Sequence, residues 1–310
     1  MKDGRFYNTP NEQYHSVWWP SFKMYMYSMY NWYKSSLSEI EKWRIQAQVP
    51  LKSEILKITW IGHATFLIQI GGINIVTDPV FGHASWLFRR ILPPGIHQHQ
   101  LVPIDIVLLS HNHWDHMDSQ SIYALACNNP LFLVPQGLVH WFQKRKIKRV
   151  KEFMWWEYYD IGISNVRITF LPAWHWSQRA LFDRNKSLWG SWLIQCDDQL
   201  VYFAGDTAYS NHFREIGAEY KNITVALIPI GPCEPEIWLS HSHLNAERAG
   251  EAFIDLQAKM CIPMHWGTFY FGNDHFLLPV EKLNAWWKQH KLARSNKLLR
   301  CLKIGESLTS

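Results

Sequence analysis

From Ile55 onward the apolar residues come in short blocks separated by turn residues, the spacing of strands rather than of long helices. Ile58 to Ile61, Thr65 to Ile70 and Ile73 to Thr77, punctuated by Gly62 and the Gly71-Gly72 turn, predict three consecutive antiparallel strands. Further strands are expected at Ile104 to Leu109, Leu131 to Val134, Val166 to Leu171, Gly190 to Gln195, Leu200 to Ala204, Val225 to Ile228 and near Met260. Leu298 to Lys303 is placed to close a sheet edge. Helical patterns fall between the strands, at Met117 to Cys127, Gly137 to Lys146, Asn245 to Gln257 and Pro279 to His290. Strands in both halves with helices interspersed predict an α/β body of layered sheets and outer helices, and no repeat or long linker divides it.

Residues 1–50 read differently, as an aromatic arm ahead of a body spanning 51–310. The arm holds Trp18-Trp19-Pro20 and the run Met24 to Tyr33, with little periodicity. Two readings stand: an arm packed across the body's own apolar surface, or amphipathic aromatics at a membrane-water boundary.

The densest chemistry lies at His111, Asn112, His113, Trp114, Asp115 and His116, four metal-capable side chains in one turn behind an apolar strand. Residues i and i+2 of an extended chain share a face, so His111 and His113 can converge on one ion while Asp115 and His116 reach a second. A ligand-free His-rich turn is the competing reading, and crowded imidazoles gain little from it. Further donors follow predicted strands: His175 after Leu171, Asp206 in Ala204-Gly205-Asp206-Thr207, and His265 in Met264-His265-Trp266-Gly267. A carboxylate after Gly205 can bridge two cations with its two oxygens. Each of these alone is more often an ordinary loop residue, but together they predict a two-ion site.

Composition narrows the class. Hydrophobic residues at 47% of 310 support a substantial core, and the 18 Trp predict either large buried aromatic clusters or a surface that meets something greasy. A net charge of +5 falls well short of a dedicated nucleic-acid binder. Cys127, Cys196, Cys233, Cys261 and Cys301 are widely spaced with no CxxC, which predicts reduced, mostly buried thiols in a cytoplasmic protein. With neither a signal-like h-region nor an apolar run of about eighteen residues, the chain is expected to be neither secreted nor membrane-spanning.

The pattern HxHxDH, then His175, Asp206 and His265, resembles that of the metallo-β-lactamase fold hydrolases, over roughly residues 55–304. That resemblance implies an αββα sandwich of two mixed sheets with outer helices and the site along the edge between the sheets. It also implies that His111, His113 and His175 hold one ion, that Asp115, His116 and His265 hold the other, and that Asp206 and a hydroxide bridge them. Asp78 matches the family's early acidic residue, which orients ligands; a turn Asp before Pro79 is the other reading.

Finer segments are similar to the N-acyl-phosphatidylethanolamine-hydrolysing phospholipases D: Gly4-Arg5-Phe6, Ile58 to Thr65, Ser110 to His113, Leu188 to Trp192, Ile228 to Gly231 with Glu234-Pro235, and His265 to Phe269. The bacterial ascorbate-phosphate lactonases share the metal pattern without most of these segments. In the phospholipases the histidine matching His243 lies by the substrate site, so His243 is expected to donate a proton or stabilise charge, or else to cap a helix. His243 and Asp115 are therefore the catalytic candidates.

The expected protein is a dinuclear-metal phosphodiesterase of phospholipase D type, with two zinc ions per chain acidifying a bridging water. Its expected partners are a phospholipid substrate and an anionic membrane surface, with peripheral membrane association and an oligomeric state left open, a homodimer included. The alternatives are a metal-dependent hydrolase of another small substrate, such as a phosphorylated lactone, and a nuclease using the basic run Lys144 to Arg149. The 59-residue intervals from His116 to His175 and from Asp206 to His265 leave no room for an inserted nucleic-acid clamp, so no nucleic acid is expected. A lipid-binding scaffold without chemistry is the third alternative, and the intact ligand set argues against it.

Overall fold

A computed structural model of the chain describes residues 3–9, 26, 37–162 and 164–309. The first half supplies β1 (Lys57–Gly62), β2 (Thr65–Ile70), β3 (Ile73–Thr77), β4 (Ile106–Leu108), β5 (Leu131–Pro135) and β6 (Val150–Phe153). The second half supplies β7 (Tyr158–Ile161), β8 (Val166–Leu171), β9 (Ser191–Cys196), β10 (Gln199–Phe203), β11 (Val225–Pro229), β12 (Met260–Met264) and β13 (Leu298–Leu299). The last strand, β14 (Ser307–Thr309), crosses back to the first sheet. Two seven-stranded sheets result, in the orders β14-β1-β2-β3-β4-β5-β6 and β13-β12-β11-β10-β9-β8-β7. The expected meander β1-β2-β3 is antiparallel.

Alternation along each strand decides the layering. Ile68, Ile75, Leu108 and Leu133 join Ile168, Phe170, Trp192 and Ile194 in one buried cluster between the sheets. The intervening Leu67, Val76, Val107, Phe132 and Val134 form a second cluster with Ile122 and Leu125 of the helix Ser119–Ala126 and Phe142 of Val139–Gln143. On the far side of the second sheet, the helices His212–Glu219, Ala246–Asp255 and Leu278–Gln289 bury Ile216, Phe253 and Trp287. The layers are therefore helix, sheet, sheet, helix, a mixed αββα sandwich as the resemblance implied. Each fully buried large apolar side chain contributes about 1.5–3 kcal/mol relative to leaving it exposed.

Several elements have no clear apolar signal in the sequence. The edge strands β6 and β7 carry Lys151, Glu152 and Asp160, and the cross-strand pair Asp160–Arg167 at 2.7 Å shows why: an edge is half in water and is protected by charge. The helix expected over Gly137 to Lys146 is shorter, Val139–Gln143, because its ends are left to turns. Of the arm, Phe6 and Ile40 are buried against the body and Arg44 bridges Ile304. Trp18-Trp19-Pro20 and all of Met24 to Tyr33 except Met26 lie outside the described residues. Three of the five cysteines are buried and all are free thiols. No helix among the described residues is long and apolar enough to cross a membrane.

Buried tryptophans hold the upper rim of the sandwich. The Trp192 indole on β9 donates to the Leu109 carbonyl of the opposite sheet at 2.9 Å, Trp60 donates to His63 O at 2.9 Å, and Trp189 donates to Ala173 O at 3.1 Å. Each ties down a carbonyl at or within two residues of a strand-end histidine. Trp192→Phe keeps the ring and orphans the Leu109 carbonyl. It should lower the unfolding free energy by about 1–3 kcal/mol, measured by urea titration; an unchanged midpoint would show that the bond carries no weight.

Candidate metal centre

Strand direction explains where the polar residues gather. Antiparallel steps make β1 run with β3 and β4, and make β8 run with β10 and β12, so the carboxyl ends of these six strands reach one edge. From those ends come His63 after β1, Asp78 after β3, His111 to His116 after β4, His175 after β8, Asp206 after β10 and His265 after β12. The chain must bend sharply there: His63, Asp78 and His265 hold φ of 56°, 31° and 63°. Such left-handed conformations cost on the order of 1–3 kcal/mol each and persist only where surroundings impose them. For His63 the surroundings are Thr268 Oγ1, 2.7 Å from its N–H, and the Trp60 indole on its carbonyl. Gly205, at φ 60°, is needed for closeness, since a Cβ there would stand 2.5 Å from the Ser110 Cβ.

The donors form two adjoining sets. His111, His113, His175 and Asp206 make one; His63, Asp115, His116 and His265 make the other, with the ligand atoms of each set within 4.8 Å of one another. Asp206 lies between them: its Oδ2 is 3.2 Å from His116 Nε2, 3.9 Å from His175 Nε2 and 4.0 Å from His111 Nε2, and its Oδ1 is 3.1 Å from His265 Nε2. In the first set His113 Nδ1 is 2.8 Å from His111 Nε2 and 3.3 Å from His175 Nε2.

The outward nitrogen of most rings is fixed by a partner. His116 Nδ1–H donates to Asp78 Oδ2 at 2.7 Å, His175 Nδ1–H to Ser242 O at 2.7 Å, and His265 Nδ1–H to Gly231 O at 2.9 Å. The Ser110 hydroxyl donates to Asp78 at 2.6 Å and meets His111 Nδ1 at 2.8 Å. Asp78 thus orients two histidines, and its turn conformation serves that purpose. Asn8, from the arm, clamps the His175 backbone: its Nδ2 donates to His175 O at 3.0 Å and its Oδ1 accepts from His175 N at 3.1 Å.

Electrostatics divide the imidazoles. Burial holds His111 and His175 well below the ordinary histidine range and His63 and His113 at about 3, so these rings are neutral donors at neutral pH. Burial also works against charge on His116 and His265, but Asp206 and Asp115 outweigh it, raising His116 well above its usual value and His265 to about 9. Those carboxylates are held well below their normal range, chiefly by His116 against the opposing effect of burial. His116 Nε2 and His265 Nε2 are buried and meet Asp206 at 3.2 and 3.1 Å as ion-pair contacts without a well-aligned hydrogen bond, and among the described residues no sulfur joins the donor sets. Such an all-nitrogen-and-oxygen donor set fits divalent cations of the zinc, manganese or iron type.

All seven metal candidates read from the sequence meet here, as does Asp78. His243 is beside them, with Nδ1 buried, unpartnered and 3.6 Å from Asp206 Oδ2, and burial lowers it to about 4. It does not cap the following helix; Asn245 does, accepting from Arg248 N. Sequence reasoning missed His63 as a member of the set, although Gly62-His63 at a strand end repeats the pattern of Gly205-Asp206. Its Nε2 lies 3.0 Å from Asp115 Oδ2. Asn8 left no signal, because its partner is a backbone 167 residues away.

A two-part His/Asp centre on the carboxyl edge of an αββα sandwich defines a metal-dependent hydrolase. The model of the β-lactamase superfamily domain matches residues 73–266, and the chain belongs to that superfamily. Over 241 residues it is 34% identical to N-acyl-phosphatidylethanolamine-hydrolyzing phospholipase D 1 of Caenorhabditis elegans, covering 73% of this chain and 68% of that protein. It is 35% identical over 237 residues to the mitochondrial N-acyl-phosphatidylethanolamine-hydrolyzing phospholipase D of Saccharomyces cerevisiae, 73% of this chain and half, 50%, of the yeast protein's length. The fold matches that of Igni18, a metallo hydrolase from Ignicoccus hospitalis, at a TM-score of 0.62 and 23% identity, over 82% of this chain and 98% of that one.

Two outcomes follow from the geometry. Cation uptake by the cation-free chain at neutral pH should expel protons from His116 and His265, so affinity falls as pH falls. Calorimetry in buffers of differing ionisation enthalpy reads this directly, and a heat independent of buffer would contradict it. Asp78→Asn should weaken cation retention roughly 10–100-fold, read as metal content after dialysis against a competing chelator.

Proposed function

We propose that the chain is a dinuclear zinc phosphodiesterase of the phospholipase D type, hydrolysing N-acyl-phosphatidylethanolamine or a related lipid phosphodiester. The observation that carries this reading is Asp206, whose two oxygens face both donor sets and so suit a pair of cations held side by side. The similarity to two curated phospholipases over 73% of the chain supports the choice of substrate class.

In this reading His111, His113 and His175 would hold one cation and Asp115, His116 and His265 the other, with Asp206 within reach of both. Bound cations acidify water and offset the charge on a phosphodiester's non-bridging oxygens. His63 keeps Asp115 in place by donating Nε2–H to its Oδ2, and Asp78 keeps His116 Nε2 turned inward. A water oxygen adds to phosphorus, the bond from phosphorus to the ethanolamine oxygen breaks, and that oxygen takes a proton. In the proposal His243, neutral at pH 7 and 3.6 Å from Asp206, relays it. The products are phosphatidate and an N-acylethanolamine.

His113→Ala should lower turnover by roughly 10²–10³-fold or more while circular dichroism and the unfolding midpoint stay close to those of the parent. Full activity in that variant would remove the metal mechanism. Substrate class is decided by offering metal-loaded protein N-acyl-phosphatidylethanolamines, a bis-aryl phosphodiester, a lactone and single-stranded RNA. Phosphatidate released from the first supports the proposal, whereas turnover of the lactone alone replaces it with a small-molecule hydrolase.

A further inference from the structure

The four most exposed large apolar side chains among the described residues are Trp86 at 82%, Phe182 at 78%, Ile237 at 75% and Leu181 at 73%, ahead of Leu51 at 66%. They sit on two loops and on the short helix Glu236–Leu239, and each of these segments connects to the metal centre. The loop around Trp86 rests on it through Phe88, whose ring is 4.9 Å from Phe271, and Phe271 lies 5.7 Å from His63 and 6.1 Å from His265. Leu181 and Phe182 lie between Arg179, which donates to the Met117 carbonyl at 2.6 Å, and Arg184, whose guanidinium covers Trp176 where that ring meets His113 at 4.2 Å. Ile237 belongs to the segment whose ends supply Gly231 O to His265 and Ser242 O to His175. Isolated surface apolar residues need no explanation, but the most exposed ones, carried by three segments that all connect to one polar centre, do.

Charge identifies the occupant. Arg179 lies 4.2 Å over the Trp114 ring and 5.7 Å from Trp141, on which Arg145 stacks at 3.9 Å, so a ladder of cations and indoles leads away from the rim. The loop carrying Trp86 adds the exposed Arg89, with no carboxylate between Pro79 and Gln98, whereas the Arg90 guanidinium turns inward to the Val80 and Gly82 carbonyls. Nearby acids are turned to partners: Asp118 caps Ser121 N, Asp183 accepts from Arg179 N and Ala180 N, Glu234 pairs with Lys282, and Glu236 accepts from Asn245. Protruding apolar tips flanked by arginine and tryptophan match the layered chemistry of a bilayer surface, with its hydrocarbon edge and anionic headgroups.

We propose that this rim is a lipid-docking surface, in which Trp86, Leu181, Phe182 and Ile237 enter the hydrocarbon edge while Arg89 and the outer end of the arginine-tryptophan ladder, at Arg145, take anionic headgroups; Arg179 holds the ladder in place through the Met117 carbonyl and Ser119. The inference deepens the lipid phosphodiester reading and rests on it for the choice of a lipid rather than a protein occupant. Docking is then a property of the body itself, at segments that also hold the metal centre.

The test uses the full metal-loaded chain and vesicles of phosphatidylcholine, alone or with phosphatidylglycerol, that contain no N-acylated lipid. The parent should cosediment, more tightly with phosphatidylglycerol and less so at high salt. The combined variant Trp86→Ser, Phe182→Ser, Ile237→Ser should lose roughly tenfold in partition for each side chain. It should hydrolyse a soluble bis-aryl phosphodiester as the parent does. A variant that sediments like the parent, or a parent that ignores both vesicles, overturns the proposal. So does loss of the soluble activity, or a parent that self-associates in sedimentation velocity through a contact the variant lacks. Because binding is read on lipids that are not substrates, a parent that docks yet cleaves no N-acyl-phosphatidylethanolamine keeps the docking surface and removes the substrate reading.

Discussion

Two carboxylates, Asp115 and Asp206, are buried at one edge of the sandwich, and their charge has to be answered there because water cannot do it. That single constraint organises the surroundings. His116 and His265 answer the charge in the cation-free chain, while His111, His113 and His175 stay neutral through burial and present lone pairs, and neutral His63 donates to Asp115. The same field that protonates two rings is the field that attracts cations in their place.

Holding so many polar groups together in a dry place requires a stiff frame, and the unusual tryptophan content serves it. The Trp60, Trp189 and Trp192 indoles are fully buried, yet each spends its N–H on a carbonyl adjoining a strand-end histidine. A large apolar ring fills the space between sheets while its single donor fixes a loop. Of the two origins considered for the aromatic content, a buried cluster and a greasy surface, the described residues show both: these rings are inside, whereas Trp86 stands in solvent. The first group stabilises the centre, and the second belongs to the proposed docking rim.

The backbone beneath the site is strained where His63, Asp78 and His265 turn through left-handed conformations, and the compensation is visible in the bonds around them. Asp78 shows the economy of the arrangement, since one buried carboxylate takes the Ser110 amide and hydroxyl and the His116 ring at once. Its position just after β3 places it behind the donor loops rather than among them.

Local chemistry could be read directly from the chain: imidazoles and carboxylates clustered behind apolar blocks announce ligands whatever the fold, so His111 to His116, His175, Asp206 and His265 were legible, as were most inner strands. Edge strands β6 and β7 were not, because charge protection erases their apolar signal, and neither was β14, whose three residues Ser307–Thr309 are too few to show a pattern. Only the tertiary structure decided that His63 stands against Asp115, that Asn8 clamps His175, that Asn245 and not His243 caps its helix, and which ring nitrogen faces inward. It alone also brought the segments carrying Trp86, Phe182 and Ile237 to one metal centre. These facts depend on distances between segments far apart in sequence, which the order of strands in two facing sheets sets and no local pattern encodes.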